Sequence, residues 1–128
     1  MSRSDELRQL ANQWNDAWNG GDASKLAAFF ADDATLSDPT LPEGPVAARK
    51  GIVESAEATW KMWPGASFEA VSILVDGDRV AVEWRSSAKH QSGRAVTLEG
   101  VDVLEWRGDK IASARVYYDV YARKEAGE

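Results

Sequence analysis

Residues 68–121 read FEAVSILVDGDRVAVEWRSSAKHQSGRAVTLEGVDVLEWRGDKIASARVYYDVY. Val, Ile, Trp, Tyr and Thr are concentrated in four runs, and short segments rich in Gly, Asp and Ser separate the runs. The runs cover residues 68–75, 79–89, 95–106 and 110–121. Because such short turns join neighbouring antiparallel strands, this stretch predicts a four-stranded antiparallel meander.

The residues before the meander have helical spacing. A first helix is predicted from Ser4, as N-cap, to about Asn19, since apolar residues recur at three- and four-residue steps: Leu7, Leu10, Ala11, Trp14, Ala17 and Trp18. Gly20-Gly21 ends this helix, and Asp22 is placed to cap a second, short helix that carries Leu26, Ala27, Phe29 and Phe30. The pair is predicted to form an αα-hairpin.

A strand, a loop and a third helix follow. Residues 34–38 predict a short strand ended by Pro39, and residues 39–45, rich in proline, predict a loop that lines an opening. Helical spacing resumes from Ala48 to Trp63, and Pro64-Gly65 closes that helix. Helices gathered ahead of an antiparallel sheet indicate an α+β fold.

Length and composition indicate one ordinary folded domain. The chain has 128 residues, of which 44% are hydrophobic and 28% charged. Its net charge of −6 opposes binding to nucleic acid or to anionic lipid surfaces. Because no apolar run is long enough to span a bilayer and no signal peptide is evident, we expect a cytoplasmic protein.

The residue inventory limits the chemistry. With no cysteine, disulfides, thiolate metal sites and a Cys nucleophile are excluded. One histidine leaves little for a zinc site or a Ser-His triad, and we expect no metal or cofactor. Catalysis must then come from carboxylates, hydroxyls, amides and rings. Six tryptophans and three tyrosines favour a pocket for a hydrophobic small molecule.

The last strands carry apolar residues on both faces. Alternation places Leu98, Leu104 and Trp106 on one face, and Val101 and Val103 on the other. Helices can cover only one face of the sheet, so the pattern predicts a homodimer through the other, convex face.

Two aspartates are the candidate catalytic residues. Asp38 ends a strand beside the proline loop, and Asp102 lies within Gly100-Val101-Asp102-Val103-Leu104 on the face of Leu98 and Leu104. An acid held in an apolar site favours its neutral form and can donate a hydrogen bond, whereas an ionised acid in a wetter site accepts a proton. The two therefore form a hypothetical base and donor pair.

Each candidate also has a purely structural interpretation. Asp38 before Pro39 is typical of a turn, and Asp102 would face outward if the valines beside it formed the core side. Tryptophans at helical spacing are commonly core residues. Asp32 and Asp33 follow a helix end and are predicted to be exposed, and His90, near a hairpin turn, is predicted to be solvated.

Several segments together resemble one known superfamily. They are Gly21-Asp22, residues 29–39 (FFADDATLSDP), Arg49-Lys50-Gly51-Ile52, residues 100–104 (GVDVL) and Gly108-Asp109-Lys110-Ile111. The chain resembles the nuclear-transport-factor-2-like superfamily, and more narrowly the SnoaL-like polyketide cyclases and ketosteroid isomerases. The resemblance implies a single domain over residues 1–128, in which three helices pack on a curved, mostly antiparallel sheet as a cone around a deep pocket.

The resemblance also implies roles for particular residues. The ketosteroid isomerase pattern places a general base at Asp38 and an oxyanion-stabilising acid at Asp102, with Trp14 where that family has a tyrosine. An indole donates a hydrogen bond but cannot share a proton as a phenol can. The SnoaL-like cyclases place an acid on the last strand, which here is Asp119. Related epoxide hydrolases place an arginine where this chain has Gly100, which argues against epoxide opening.

These observations lead to one hypothesis and two alternatives. The first is cofactor-independent proton transfer next to a carbonyl, with Asp38 as base, Asp102 as donor and Trp14 or Tyr118 as second donor. The cavity walls are predicted to be Trp18, Phe30, Trp60, Trp63 and Trp84. The alternatives are an aldol-type cyclase that uses Asp119 and a non-catalytic module that binds hydrophobic ligands. The sequence leaves open whether Tyr118 or Asp119 faces the pocket.

Overall fold

The computed structural model describes residues 1–39, 41, 44–90 and 92–119. Three helices and six strands follow one another in the order α1 (Arg3–Gly20), α2 (Ala23–Ala27), β1 (Phe30–Ser37), β2 (Val46–Ala47), α3 (Ala48–Met62), β3 (Ser67–Asp76), β4 (Arg79–Lys89), β5 (Ala95–Arg107) and β6 (Lys110–Tyr118). None of the helices in the described ranges has the length and apolar character that a bilayer crossing requires.

The strands form one sheet in the order β2-β1-β6-β5-β4-β3. Neighbouring strands are antiparallel except β1 and β6, which run parallel. The predicted meander from β3 to β6 and the α+β class with a mostly antiparallel sheet are therefore confirmed. Strand β4 begins and ends at the predicted residues, whereas β6 ends at Tyr118, and the predicted remainder at positions 120 and 121 lies outside the described residues.

Helix α1 begins earlier than predicted. Its N-cap is Ser2, whose hydroxyl accepts a hydrogen bond from the Asp5 amide, so Ser4 lies within the helix instead of capping it. Gly21 ends the helix with φ 73°, a left-handed conformation that favours glycine. At this end, the Asn19 side chain donates to the Phe68 carbonyl and accepts from the Phe68 amide, which ties α1 to the open edge of β3.

Helix α2 is shorter, and β1 longer, than the sequence pattern indicates. Asp22 caps α2 as predicted, but the helix ends at Ala27, so the prediction that Phe29 and Phe30 belong to it is wrong. Phe30 instead opens β1, because it pairs with Ile111 on β6, a contact between distant parts of the chain that the local spacing cannot reveal.

Helix α3 matches its prediction closely, ending at Met62, with Trp63 as C-cap. It is preceded by the two-residue strand β2, which lies between the predicted loop and the helix and pairs with Thr35 and Leu36. Positions 40, 42 and 43 of that loop lie outside the described residues. All three helices contribute to a core built on the inner face of the sheet; its most buried large side chains are Trp14, Phe30, Leu7, Leu26, Leu36, Ile52, Leu104, Ile111, Val80 and Val82.

Candidate functional site

A cavity of about 840 Å³, including the solvent at its mouth, lies between α1, α3 and the inner face of the sheet. Its concave and mostly apolar lining is typical of a small-molecule site. Most of the side chains around it are aromatic or aliphatic. The lining residues are Asn15, Trp18, Leu36, Asp38, Ile52, Ser55, Thr59, Trp63, Ala66, Phe68, Trp84, Ser86, Ala88, Val96, Leu98, Asp102, Val116 and Tyr118.

Asp102 lies on the cavity wall although only 7% of it is exposed. Alternation along β5 turns it to the same face as Leu104, and its cross-strand neighbours are Val82 on β4 and Val116 on β6. An acid is thus held among apolar side chains, and of the two orientations that alternation allowed for Asp102, the inward one is observed.

Two indole N–H groups hold the Asp102 carboxyl. Trp14 Nε1 donates to Oδ2 at 3.1 Å, and Trp84 Nε1 donates to Oδ1 at 3.0 Å. Each carboxyl oxygen has two acceptor sites, so both oxygens keep one site for a proton or a ligand. The two tryptophans therefore orient the carboxyl without closing it off.

The pKa of Asp102 is raised to about 6. Burial is the largest cause, because it disfavours the charged form; the nearby charge of Asp38 acts in the same direction, and the two indole hydrogen bonds oppose the shift. Both protonation states of Asp102 are thus accessible near neutral pH, as an acid–base catalyst requires.

Gly100 makes room for the Trp84 indole. The two residues are cross-strand partners on β5 and β4. A Cβ at position 100 would lie 2.3 Å from Trp84 Cζ2 and 2.5 Å from the Tyr117 carbonyl oxygen. Since real Cβ atoms do not approach so closely, glycine at this position allows Trp84 to lie against the sheet and reach Asp102.

Asp38 faces the same cavity from the end of β1. It is half-buried, and Tyr118 Oη donates to its Oδ1 at 3.2 Å. Tyr118 extends from β6, the parallel neighbour of β1, and is the cross-strand partner of Gly100. The structure thus brings the two predicted aspartates to one hydrophobic cavity, close enough for the charge of Asp38 to affect the pKa of Asp102.

A family model described as "SnoaL-like domain" matches residues 11–114. The chain belongs to the SnoaL-like family. The match covers most of the chain, including Asp38 and Asp102. A search of curated proteins finds no match.

Solved structures of the same fold are numerous. AclR, a putative hydroxylase from Streptomyces galilaeus, has a TM-score of 0.83 and 22% identity over 95% of this chain and 85% of its own. A putative polyketide cyclase from Xanthomonas campestris pv. campestris has a TM-score of 0.81 and 18% identity over 94% and 95%. An NTF2-like protein from Burkholderia thailandensis has a TM-score of 0.80 and 18% identity, also over 94% and 95%. At these identities the likeness shows the fold alone.

The last strand of this SnoaL-like chain turns Tyr118, and not Asp119, into the cavity. Tyr117 points to the opposite face and is 55% exposed, as alternation requires. Asp119 is exposed and is not among the residues that line the cavity. The acid of the cyclase-like alternative therefore does not belong to the described lining of the cavity.

The predicted aromatic wall is divided between the cavity and the core. Trp18, Trp63 and Trp84 line the cavity together with Tyr118. Trp14, Phe30 and Trp60 do not. Trp14 and Phe30 are buried behind the wall, where their rings meet edge to face, and Trp60 Nε1 donates to the Trp18 carbonyl. These three support the site from behind, and Trp14 still reaches Asp102 through its indole nitrogen.

His90 is buried, so the prediction of a solvated histidine is wrong. Only 5% of it is exposed, its ring centroid lies 4.8 Å from that of Trp63, and Nδ1 lies 2.9 Å from Ser92 Oγ. The hairpin turn directs the imidazole back against Trp63 at the end of α3 and not into solvent.

Several wall residues were not identified from the sequence. They are Phe68 on β3, Ser86 on β4, Asn15 on α1, and Ser55 and Thr59 on α3. Alternation on β4 links Ser86 to Trp84, and helical spacing links Ser55 and Thr59 to Ile52, so these periodicities could have found them. No Lys, Arg or His is among the described lining residues, and the described residues contain no cluster of three metal-binding side chains.

Proposed function

We propose that this SnoaL-like protein is an enzyme that transfers a proton at the carbon next to a carbonyl group in a hydrophobic small molecule. One observation carries the proposal: two carboxyls share an apolar cavity, and the more buried of them, Asp102, has a pKa of about 6. A carboxyl with a pKa of about 6 is partly protonated near neutral pH and in that form can donate a hydrogen bond, and a second, ionised carboxyl can act as base.

The roles follow from the two environments. Asp38 at the end of β1 takes the proton from the α-carbon, and the electrons of the C–H bond form the enolate. Asp102, in its protonated form, donates to the developing enolate oxygen. Return of the proton from Asp38, to the same carbon or to a conjugated one, completes exchange or isomerisation. A preorganised donor to an oxyanion contributes on the order of 3–4 kcal/mol to transition-state stabilisation.

The surrounding residues assist this chemistry. The Trp14 and Trp84 indoles fix the plane of the Asp102 carboxyl, and the Tyr118 hydroxyl does the same for Asp38. The apolar walls exclude water, which strengthens hydrogen bonds to a developing charge. No structural observation supports the cyclase-like role of Asp119, which is exposed.

Deuterium exchange tests the proposal. In heavy water, the wild-type protein should catalyse incorporation of deuterium into the methyl group of 4-acetylbiphenyl, measured by NMR. Asp38→Asn and Asp102→Asn should each lower the rate by roughly 10²-fold or more. Asp119→Asn is the control and should retain the rate. If only Asp119→Asn loses activity, the assignment of roles is wrong. If the wild type binds such ketones without exchange, the protein is a binding module.

The pH profile tests the role of Asp102 as donor. The rate should be higher below about pH 6 than above it, because Asp102 loses its proton as the pH rises through its pKa of about 6. A rate that instead rises through pH 6 would show that ionised Asp102 is the base.

A further inference from the structure

Ser86 is a polar side chain in the cavity that has no role in the proposed chemistry and no evident role in stabilising the fold. It is 8% exposed and lines the cavity from β4. Within the described residues its hydroxyl has no hydrogen-bond partner, and its oxygen is not fully enclosed by protein, so it is open to the cavity. A hydroxyl in this situation is available to a ligand.

Ser86 lies far from the two acids along the sheet. On β5, its cross-strand partner is Leu98, whereas Asp102 itself pairs with Val82. Leu98 and Asp102 are four positions apart on β5, which corresponds to roughly 13 Å. Both side chains face the cavity, so the cavity has polar groups at two levels, with the apolar Trp84 between them on β4.

The opposite wall has the same arrangement. Helix α3 begins near the acids, where Gly51 lies against Leu36 of β1, and it ends where Trp63 contacts His90. Ile52 and Thr59 both line the cavity and are seven residues apart, or roughly 10 Å along the helix. The Thr59 hydroxyl is therefore at the end of the cavity remote from Asp38.

We propose that Ser86, with Thr59 on the opposing wall, forms a second polar subsite that binds an uncharged oxygen, a ketone or a hydroxyl, at the far end of an elongated hydrophobic ligand. The near end of that ligand is the carbonyl that meets Asp38 and Asp102, and in this respect the proposal rests on the proposed function. The distal group is uncharged because the described lining offers no Lys, Arg or His to pair with an anion.

Two matched ketones test the subsite. 4,4′-Diacetylbiphenyl has a carbonyl at each end of a rigid aromatic core, and 4-acetylbiphenyl lacks the distal one. Binding of both is measured by isothermal titration calorimetry. For the wild type, the diketone should bind roughly threefold to tenfold more tightly, which is the value of one added hydrogen bond. In Ser86→Ala this ratio of dissociation constants should fall to about two, the statistical factor that remains because either of the two equivalent ends of the diketone can meet the acids.

Two further variants make the test specific. Ser86→Cys keeps the size of the side chain but replaces the hydroxyl with a weak donor, and it should lower the ratio in the same way. Ser87→Ala, on the exposed face of the same strand, is the control and should leave the ratio unchanged. If Ser86→Ala and Ser86→Cys leave the ratio of the two dissociation constants unchanged, the proposal is overturned. This holds also if both ketones bind more weakly to the same extent.

Failure of this proposal is distinguishable from failure of the proposed function. If the wild type catalyses deuterium exchange but the Ser86 variants leave the ratio of dissociation constants unchanged, only the subsite is refuted. A Ser86-dependent ratio without exchange by the wild type refutes only the proton-transfer activity.

Discussion

Two acids three residues apart on β5 occupy opposite faces of the sheet and different environments. Asp102 faces inward, where two indole N–H groups contact it and burial raises its pKa to about 6. Glu105 faces outward, with 38% of its side chain exposed, and pairs with Arg79 at 3.1 Å and Arg115 at 3.6 Å. On the inner face, burial raises the pKa of a carboxyl because its charged form is costly to bury. On the outer face, a carboxylate forms ordinary surface ion pairs with arginines.

The largest effect is expected from the apolar neighbours of these acids. Leu104→Ala on the inner face should lower the free energy of unfolding by about 2–5 kcal/mol, since Leu104 is fully buried and a cavity would remain. Val103→Ala, the adjacent residue on the outer face, should cost less than about 1 kcal/mol. Urea denaturation measures both. Equal losses would show that the outer face is as closely packed as the inner one.

Protonation of Asp102 should make stability depend on pH. Its pKa is raised from 3.8 to about 6 on folding, so the protonated acid stabilises the fold below about pH 4, and this contribution is lost as the pH rises through about 6. The loss amounts to about 3 kcal/mol, at 1.36 kcal/mol per pKa unit. Asp102→Asn should lack this slope in denaturant titrations between pH 4 and 7. Parallel pH profiles of variant and wild type would contradict the raised pKa.

Gly100→Ala tests whether the close approach of Trp84 is required. The added methyl would overlap the indole and the Tyr117 carbonyl, so we expect a loss of about 1–3 kcal/mol in unfolding free energy and a displaced Trp84. Proton-transfer activity should decrease as well, because Asp102 loses one of its two indole contacts. Glu99→Ala, the adjacent exposed residue, is the control. An unchanged near-ultraviolet circular dichroism spectrum of Gly100→Ala would argue against this role of the glycine.

The outer acid should contribute little. Glu105→Gln removes the carboxylate that pairs with Arg79 and Arg115, and we expect a change of less than about 1 kcal/mol that diminishes further in high salt. The measurement is urea denaturation at low and high ionic strength. A change as large as that of Leu104→Ala would show that the outer face is buried, for example by another subunit.

The smallest effect on folding is expected at Tyr117, which is 55% exposed on the outer face beside Val101. The apolar residues of this face predict a homodimer, and Tyr117→Ser should then halve the mass measured by light scattering while hardly changing the stability of the subunit. A wild-type mass equal to that of one chain would refute the dimer.

Features that depend on neighbouring residues could be predicted from the sequence. The bounds of β4 follow from alternation and from the turn at Asp76-Gly77-Asp78, and the Asp22 cap follows from a short-range hydrogen bond. By contrast, the start of β1 at Phe30 depends on pairing with Ile111, more than 80 positions away, and β2 depends on pairing with β1. Such partners leave no mark on the local spacing of apolar residues.

The candidate site divides in the same way. Asp38 and Asp102 could be selected because an acid before proline and an acid within an apolar strand are conspicuous in the sequence. The orientation of Tyr118 could not be predicted, because it depends on the register of the strand. Tyr118 pairs with Gly100, and a shift of one residue would turn Asp119 into the cavity in its place. Trp14 was predicted to donate to the substrate, whereas its indole donates to Asp102, on a strand 88 positions further along the chain.

The sequence by itself determined the α+β class, the meander and the two acids, because hydrophobic period, turn residues and the placement of a charge among apolar neighbours are local properties. Only the tertiary structure decided which side chains share the cavity and how two indoles hold Asp102. It also decided that the Ser86 hydroxyl lines the end of the cavity remote from the two acids. These contacts depend on strand register and helix packing, which bring residues that are distant in the sequence within hydrogen-bond distance. The same packing removes water from around Asp102, and this burial raises its pKa.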